Sequence, residues 1–279
     1  MKRLLNKYIP LAYGSYFKSL AVVSSERAAE KAFVLFCTPR KGRVLPEQSV
    51  YLDEAKDQVL KIQNTSIQTY CWPGSGPTVL LMHGWESNTF RWRNLISKLQ
   101  EENYNIIALD GPAHGNSTGK QLNVPLYAEC IQAVIKTYNP TYLIGHSFGG
   151  MAMIYNQYKH PNDAVKKMVS LGAPSELSDF MAQYRNLLGL NQRMMTSLEA
   201  YFIKTFNFGF SDFSTPKFAK SFTKEGLLIH DELDAIASIT SSENLHASWK
   251  NSTLIRTNGL GHSLHQDAVR NQIVAFLKS

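Results

Sequence analysis

The stretch of sequence that decides the fold is residues 141–151, T-Y-L-I-G-H-S-F-G-G-M. An apolar run typical of a buried strand leads into Gly145 and Ser147, and residues 148–160 then have the apolar spacing of a helix. Glycines two positions before and two after the serine remove side chains that would clash at a sharp corner between strand and helix. We therefore predict that Ser147 lies at the apex of this corner with its hydroxyl exposed.

Length and composition predict a globular protein. The chain has 279 residues, of which 44% are hydrophobic and 11% aromatic, so it can bury a large core. No apolar run reaches the roughly 18 residues of a transmembrane helix. Cys37, Cys71 and Cys130 are odd in number and widely spaced, which is typical of a reducing compartment and of neither a disulfide framework nor a metal site. We expect a cytoplasmic protein without metal or cofactor.

The net charge of +7 is concentrated at the N-terminus. Residues 1–43 hold nine basic and two acidic side chains, and the other residues hold 20 of each. Because the rest of the chain is neutral, we expect no nucleic-acid partner. Pro10 and Lys18 interrupt the apolar stretch after Lys7, which argues against a cleaved secretory signal.

Residues 1–50 are predicted to form a basic N-terminal helical arm. Residues 25–36 carry apolar side chains at helical spacing, Ser25 can cap them, and Pro39 follows. We expect the apolar face of the arm to dock on the body of the protein. A weak contact of residues 1–43 with a membrane surface is the alternative, and it stays open.

From residue 51 onward, apolar runs typical of buried strands alternate with helical patterns. This alternation predicts an α/β fold, a three-layer sandwich whose mostly parallel central sheet has helices on both faces. The predicted strands are residues 59–63, 67–72, 78–82, 106–109, 142–144, 168–171, 227–229 and 253–256. The predicted helices are residues 90–100, 126–138, 148–160 and 268–278.

The alternation lapses over residues 173–226, which are rich in aromatic residues and methionine at helical spacing. Ser214, Thr215 and Pro216 have the pattern of a helix start, with proline in the first turn. We predict a helical insertion here. It divides the core into residues 51–172 and 227–279.

Polar side chains follow the predicted strands, at the edge where functional residues of a parallel sheet gather. His83-Gly84-Trp85 follows residues 78–82, and Asp110 follows residues 106–109. Ser147, Asp234 and His262 each come after a later strand. Nucleophile, acid and base follow this same chain order in one particular fold.

From about residue 55 to its C-terminus, the chain resembles the α/β-hydrolase fold family. The matching motifs are His83-Gly84, the loop at residues 110–117, the pattern at residues 145–149, the position of Asp234, and Gly261-His262. The resemblance implies that residues 173–226 are a cap, because the family commonly places one after the sixth strand. Residues 1–50 fall outside it.

A serine hydroxyl is a weak nucleophile, so Ser147 requires a base, and His262 is our candidate. The resemblance favours Asp234 as the acid that orients this base, because it lies four residues after His230. Asp231, Glu232 and Glu176 compete with Asp234 for that role. The remaining histidines considered are His83 and His114, expected to be structural, His230, expected at a strand end, and His265, expected at the surface.

Two backbone N–H groups are predicted to form an oxyanion hole, those of Trp85 and Phe148. The side chains of these residues are also expected to contact substrate, together with Met181 and Met194 of the insertion.

The set of residues predicts a serine hydrolase that cleaves a small or medium carboxylic ester or thioester through an acyl-enzyme. A serine at position 147 argues against the relatives that use aspartate there, the haloalkane dehalogenases and epoxide hydrolases. A carbon–carbon bond hydrolase, an acyltransferase and a membrane-peripheral lipase stay open as alternatives, as does a non-catalytic ligand receptor. The sequence predicts neither the acyl chain length nor the oligomeric state.

Overall fold

The computed structural model describes residues 2–62 and 64–279, with side chains from residue 8 onward. Met1 and Gln63, assigned above to the arm and to the first strand, lie outside the described residues. The chain divides into two compact units. We call Met1–Thr38 with Glu176–Ser214 the helical unit, and Pro39–Ser175 with Thr215–Ser279 the sheet unit.

The sheet unit is built on one sheet, which has eight strands within the described residues, in the order β1-β2-β4-β3-β5-β6-β7-β8. β2 pairs antiparallel with β1 and β4, and the other pairs are parallel. The predicted mostly parallel sheet is thus confirmed. The strands are β1 (Lys56–Ile62), β2 (Thr65–Trp72), β3 (Thr78–Met82), β4 (Asn105–Leu109), β5 (Tyr142–His146), β6 (Lys167–Leu171), β7 (Glu225–Asp231) and β8 (Ser252–Thr257).

Helices flank the sheet on both faces, as predicted. Successive side chains of β3 point to opposite faces of the sheet, and on one face Val79 and Leu81 belong to a buried apolar cluster with Leu95 of α4 and Ile273 of α11. A 3-10 turn, Thr89–Trp92, precedes α4. In chain order the helices of both units are α1 (Lys2–Val23), α2 (Ser25–Phe36), α3 (Pro46–Leu52), α4 (Arg93–Glu101), α5 (Val124–Tyr138), α6 (Phe148–Lys159), α7 (Leu177–Leu188), α8 (Gln192–Phe206), α9 (Thr215–Ala219), α10 (Thr240–Ser248) and α11 (Asp267–Lys278).

The helical unit joins the N-terminal arm to the insertion. Phe33 of α2 lies against Tyr201, Phe202 and Phe206 of α8, with ring centroids 5.3, 5.3 and 5.7 Å away. The Tyr184 hydroxyl of α7 donates to the Ala32 carbonyl at 2.8 Å. The arm up to Thr38 therefore packs with the insertion. We had expected it to dock on the body of the protein. None of the described helices is both long and apolar enough to cross a membrane.

The unit boundaries differ from the predicted ones at both ends of the insertion. Only residues 176–214 of the predicted 173–226 belong to the helical unit. α9 belongs to the sheet unit, where Phe218 stacks on Tyr158 with ring centroids 4.6 Å apart. The predicted insertion also overlaps β7, which begins at Glu225. Aromatic residues at helical spacing occur in both units, so composition alone placed the end of the insertion too late.

Candidate active site

Ser147 occupies the predicted corner between β5 and α6. Its backbone has φ 51° and ψ −122°, a strained conformation for a residue with a side chain, and its N–H donates to the Leu171 carbonyl at 2.8 Å. The corner requires Gly149, because a Cβ there would lie 2.4 Å from the carbonyl oxygens of Met82 and His83. The glycine spacing that we recognised in the sequence thus has a steric cause.

The structure brings together the three residues predicted as nucleophile, base and acid. His262 lies in the loop after β8, with its Nε2 2.9 Å from Ser147 Oγ. Its Nδ1 lies 2.7 Å from Asp234 Oδ2. Nδ1 faces a carboxylate and therefore carries a proton, which leaves Nε2 of a neutral ring to accept the serine proton. The arrangement can make Ser147 nucleophilic.

The loop after β7 holds Asp234 by hydrogen bonds to its other oxygen. Oδ1 accepts the N–H groups of Ile236 and Ala237 at 2.8 and 3.0 Å. The fully buried His230 donates its Nε2–H to the Ala237 carbonyl at 2.8 Å, and its Nδ1 lies 2.7 Å from Ser242 Oγ. His230, expected only as a strand-end residue, therefore fixes the turn that orients Asp234.

Asp231, one of the competing acids, forms hydrogen bonds with the loop that carries His262 instead. Its Oδ2 accepts the Thr257 hydroxyl and the Leu260 N–H, each at 2.8 Å, and its Oδ1 accepts the Leu233 N–H at 3.0 Å. Burial raises the pKa of Asp231, but these donors outweigh it, so the pKa lies below its usual value. Asp231 is thus a buried anion that anchors this loop.

The other two competing acids have partners of their own. Glu232 accepts a hydrogen bond from the Asn258 amide at 2.8 Å. Glu176 belongs to the helical unit, where the Ser214 hydroxyl donates to it at 2.9 Å. Of the four acids considered, Asp234 is the one bonded to His262.

Two further side chains hold the backbone of the loop that carries His262. His146, next to Ser147 in the corner, donates its Nε2–H to the His262 carbonyl at 2.8 Å. Arg91 donates from Nη2 to the carbonyl of the next residue, Ser263, at 3.0 Å. Burial, followed by the charge of Arg91, keeps the pKa of His146 well below its usual value. Our sequence reasoning missed both residues.

Because His146 and Ser147 are consecutive, the corner contacts His262 at two points. One residue binds the His262 carbonyl and the other faces its ring. Hydrogen bonds at two ends of one residue restrict both its position and its orientation. The sequence did draw attention to His146, because it lies inside the glycine-flanked motif. No local pattern, however, indicates that its partner is the His262 carbonyl, 116 residues away.

The segment after β3 lies directly against the corner, as an oxyanion hole requires. A Cβ on Gly84 would lie 3.0 Å from Ser147 Cβ and 3.2 Å from the His146 carbonyl oxygen. Trp85 follows Gly84, so this close approach places it beside the corner, where its ring centroid is 5.7 Å from that of Phe148. Phe148 begins α6, so its N–H has no carbonyl one turn earlier in the helix to bond. The two predicted donors thus belong to segments that meet beside Ser147.

His83 and His114 have the structural positions expected of them. His83 Nε2 accepts the Gly111 N–H at 2.9 Å, and its Nδ1–H donates to the Gly84 carbonyl at 2.7 Å. His114 Nε2 accepts the N–H of Glu86 at 3.0 Å. Burial, followed by the neighbouring His114, lowers the pKa of His83 to about 3. Both rings therefore fix the loop before and after Trp85.

The remaining predicted site residues lie elsewhere in the fold. Met181 and Met194 are buried residues of α7 and α8 in the helical unit, so their contact with substrate stays a prediction. His265 is exposed, as expected. Within the described part of the chain, no cluster of three or more His, Cys, Asp or Glu side chains is arranged to hold a metal ion.

Comparison with known proteins identifies the family. The model of the α/β hydrolase fold matches residues 77–225, more than half of the chain. The chain belongs to the α/β-hydrolase fold family. Among solved structures of this fold, an esterase from Exiguobacterium antarcticum aligns with a TM-score of 0.63 and 19% identity, over 81% of this chain and all of that protein.

Two curated relatives of this α/β-hydrolase align with it over only part of their own length. A serine hydrolase-like protein of Homo sapiens is 30% identical over 126 residues, 42% of this chain and 60% of that protein. A bifunctional esterase/perhydrolase of Acinetobacter calcoaceticus is 30% identical over 112 residues, 36% of this chain and 38% of that protein. The matches thus cover less than two thirds of either relative.

Proposed function

We propose that this α/β-hydrolase is a serine hydrolase that cleaves a small or medium carboxylic ester or thioester. The observation that carries the proposal is the unbroken relay from Ser147 Oγ through His262 to Asp234, with contacts of 2.9 and 2.7 Å, at a strained corner. A small-molecule substrate is the only partner that this chemistry requires.

In the proposed first step, Ser147 Oγ bonds to the carbonyl carbon while His262 Nε2 takes the hydroxyl proton. The backbone N–H groups of Trp85 and Phe148 stabilise the resulting oxyanion. The bond from carbon to the leaving oxygen or sulfur then breaks, and His262 gives its proton to the leaving group. Asp234 stays ionised throughout and stabilises the imidazolium.

In the second step, water replaces the leaving group. His262 takes one proton from the water as its oxygen bonds to the acyl carbon, and the bond to Ser147 Oγ breaks as that proton returns to the serine. The free acid leaves, and the enzyme regains its starting state. The esterase name of the Acinetobacter calcoaceticus relative supports this chemistry.

The test compares the purified protein with Ser147→Ala on p-nitrophenyl acetate and butyrate. We expect turnover by the unsubstituted protein, a loss of at least about a thousandfold in the variant, and a fluorophosphonate adduct whose mass maps to Ser147. Cys71→Ser, which removes a half-buried thiol, is the matched control and should keep both turnover and adduct. Ordinary ester turnover by Ser147→Ala would reject the mechanism.

Product analysis distinguishes the alternatives on the same triad. A competing alcohol or thiol that captures the acyl group would indicate an acyltransferase, and cleavage of a diketone in place of esters would indicate a carbon–carbon bond hydrolase. A panel of esters and thioesters of increasing acyl length would measure what the pocket accepts.

We also propose a cytoplasmic location. Cys37, Cys71 and Cys130 are all free, and Cys37 and Cys130 are buried, as is common for proteins kept in a reducing compartment. Cell fractionation with the soluble and membrane fractions analysed separately would test it.

A further inference from the structure

The outward face of α1 exposes an unusual amount of apolar surface. Its large exposed apolar residues have between 39% and 86% of their surface accessible, and they are Tyr8, Ile9, Leu11, Tyr13, Tyr16, Val22 and Val23. Ile9, Ala12, Tyr13 and Tyr16 lie three or four residues apart and form one continuous stripe of this open face. Soluble monomers rarely expose a contiguous apolar patch larger than a few hundred Å² without a binding role.

The opposite face of α1 is buried within the helical unit. Phe17 and Ala21 are 2% and 3% exposed. Gly14 lies so close to α7 that a Cβ there would be 1.7 Å from the Leu188 carbonyl oxygen. The helix is therefore fixed by one face, and the face with Ile9 and Tyr13 is left at the surface.

The outward face also lacks the charges that normally cover a surface helix. Lys18 is the one charged residue among residues 8–23, and its ammonium donates to the Gly189 carbonyl at 3.0 Å. The exposed positions between the apolar residues carry small uncharged side chains such as Ala12 and Ser15. A helix covered only by water would gain solubility from charges here.

The charges lie at the beginning of the helix instead. The sequence has Lys2, Arg3 and Lys7 before the apolar face and no acidic residue before Glu26. Basic residues beside an apolar helix face with tyrosines are the composition of helices that lie in the interface of a membrane. Anionic lipid headgroups complement this charge.

We propose that the outward face of α1, residues 8–23, is a docking surface for an anionic lipid bilayer. The tyrosines and aliphatic residues insert among the headgroups, and the basic start of the helix binds the negative lipids. A second copy of the chain fits less well, because its own α1 carries no acidic residue that could pair with the basic start of the helix. The proposal does not depend on the activity at Ser147.

Flotation with vesicles tests the proposal on the full chain. We expect the protein to float with phosphatidylcholine vesicles that contain phosphatidylglycerol, more weakly with phosphatidylcholine alone, and less at high salt. Tyr16→Trp places a fluorescent reporter on the face, and brominated lipid should quench it if the face inserts. Absence of vesicle binding would overturn the proposal, as would binding without quenching.

Paired variants identify the surface. Ile9→Glu with Tyr13→Glu should lower the vesicle partition coefficient about tenfold or more, because both carboxylates would enter the apolar interface. Val50→Glu with Val59→Glu adds two charges at exposed positions of the sheet unit and should bind as the unsubstituted protein does.

Two controls keep the result decisive. All variants should keep their circular dichroism spectrum and their turnover of a soluble ester without vesicles, which separates failure of this proposal from failure of the proposed function. Vesicle binding that survives in Ile9→Glu with Tyr13→Glu would assign it to another surface and reject the proposal. A dimer seen by light scattering, lost in that variant, with no vesicle binding, would also reject it.

Discussion

Replacing the buried His146 with glutamine should make the protein less sensitive to acid. The His146 ring is 7% exposed, donates from Nε2 to the His262 carbonyl, and has a pKa well below its usual value because of burial. Glutamine keeps an N–H donor of similar reach and removes the titrating group. The two proteins should therefore differ in how their stability depends on pH, whatever their stability at neutral pH.

The sign and size follow from the difference in proton binding. The unfolded imidazole, with a pKa of about 6.5, takes up a proton as the pH falls, whereas the native His146 does so only at a much lower pH. The folded pKa is lowered, so the stability that this ring contributes is complete above about pH 6.5 and is lost as the pH falls towards the folded value. At pH 5, about 1.5 units below the unfolded pKa, the loss is about 2 kcal/mol for this one histidine.

Urea unfolding at pH 7.5 and pH 5.0, followed by tryptophan fluorescence, measures the effect. The free energy of unfolding should fall by about 2 kcal/mol more in the unsubstituted protein than in His146→Gln. His83, which burial also keeps neutral with a pKa of about 3, is present in both proteins and cancels. His246→Gln makes the same replacement at an exposed position and controls for the substitution itself. Equal pH dependence of His146→Gln and the unsubstituted protein would refute this reasoning.

Three further substitutions test how the base is held. Asp234→Asn should lower ester turnover by about 10⁴ with little change in melting temperature, because the amide no longer orients and stabilises the His262 imidazolium; turnover within tenfold of normal would contradict this. His146→Phe should lower turnover by about 10 to 100-fold, and His146→Gln should restore most of it, because only glutamine keeps the donor to the His262 carbonyl; equal loss in both would contradict it. Asp231→Asn should cost about 1–3 kcal/mol in urea unfolding above pH 5 and also lower turnover, because it weakens the acceptor of the Leu260 N–H; unchanged stability would contradict it.

Much of the sheet could be predicted because buried parallel strands have a local signature. Residues 78–82 and 106–109 are continuous apolar runs, and they form β3 and all but the first residue of β4. β1 extends three residues earlier than its predicted start, to Lys56, because the exposed edge strand pairs through its backbone and needs no apolar side chains there. α3 was not predicted, although Pro46 at its first turn was a usable signal.

The partner of the N-terminal arm could not be predicted, for a different physical reason. Helical periodicity indicates that Phe33 belongs to a buried face, but any apolar surface of suitable shape can bury it. Its actual partners, Tyr201, Phe202 and Phe206, lie in the insertion far along the chain. Sequence spacing records which face of a helix is apolar, and only the fold records what covers that face.

The same distinction explains which parts of the candidate site were found. Ser147, Asp234 and His262 each follow a strand, so the topology of a parallel sheet brings them to one edge and chain order suggests their roles. The anchors His146 and Asp231 act through hydrogen bonds to a loop whose path has no periodic signal. Predicting them would have required the loop conformation first.

That loop shows why such anchors are needed. Gly259 and Gly261, at φ 81° and 65°, adopt a left-handed conformation that other residues reach only with strain, yet a Cβ at either position would meet nothing within 4 Å. These glycines thus supply the turn and contribute no packing that could immobilise His262. Hydrogen bonds supply the rigidity instead: the Asp231 carboxylate accepts the Leu260 N–H, and His146 and Arg91 donate to the carbonyls of His262 and Ser263. Two of these three groups are charged side chains, and the third, His146, is adjacent to Ser147, so the element that carries Ser147 also sets the position of His262.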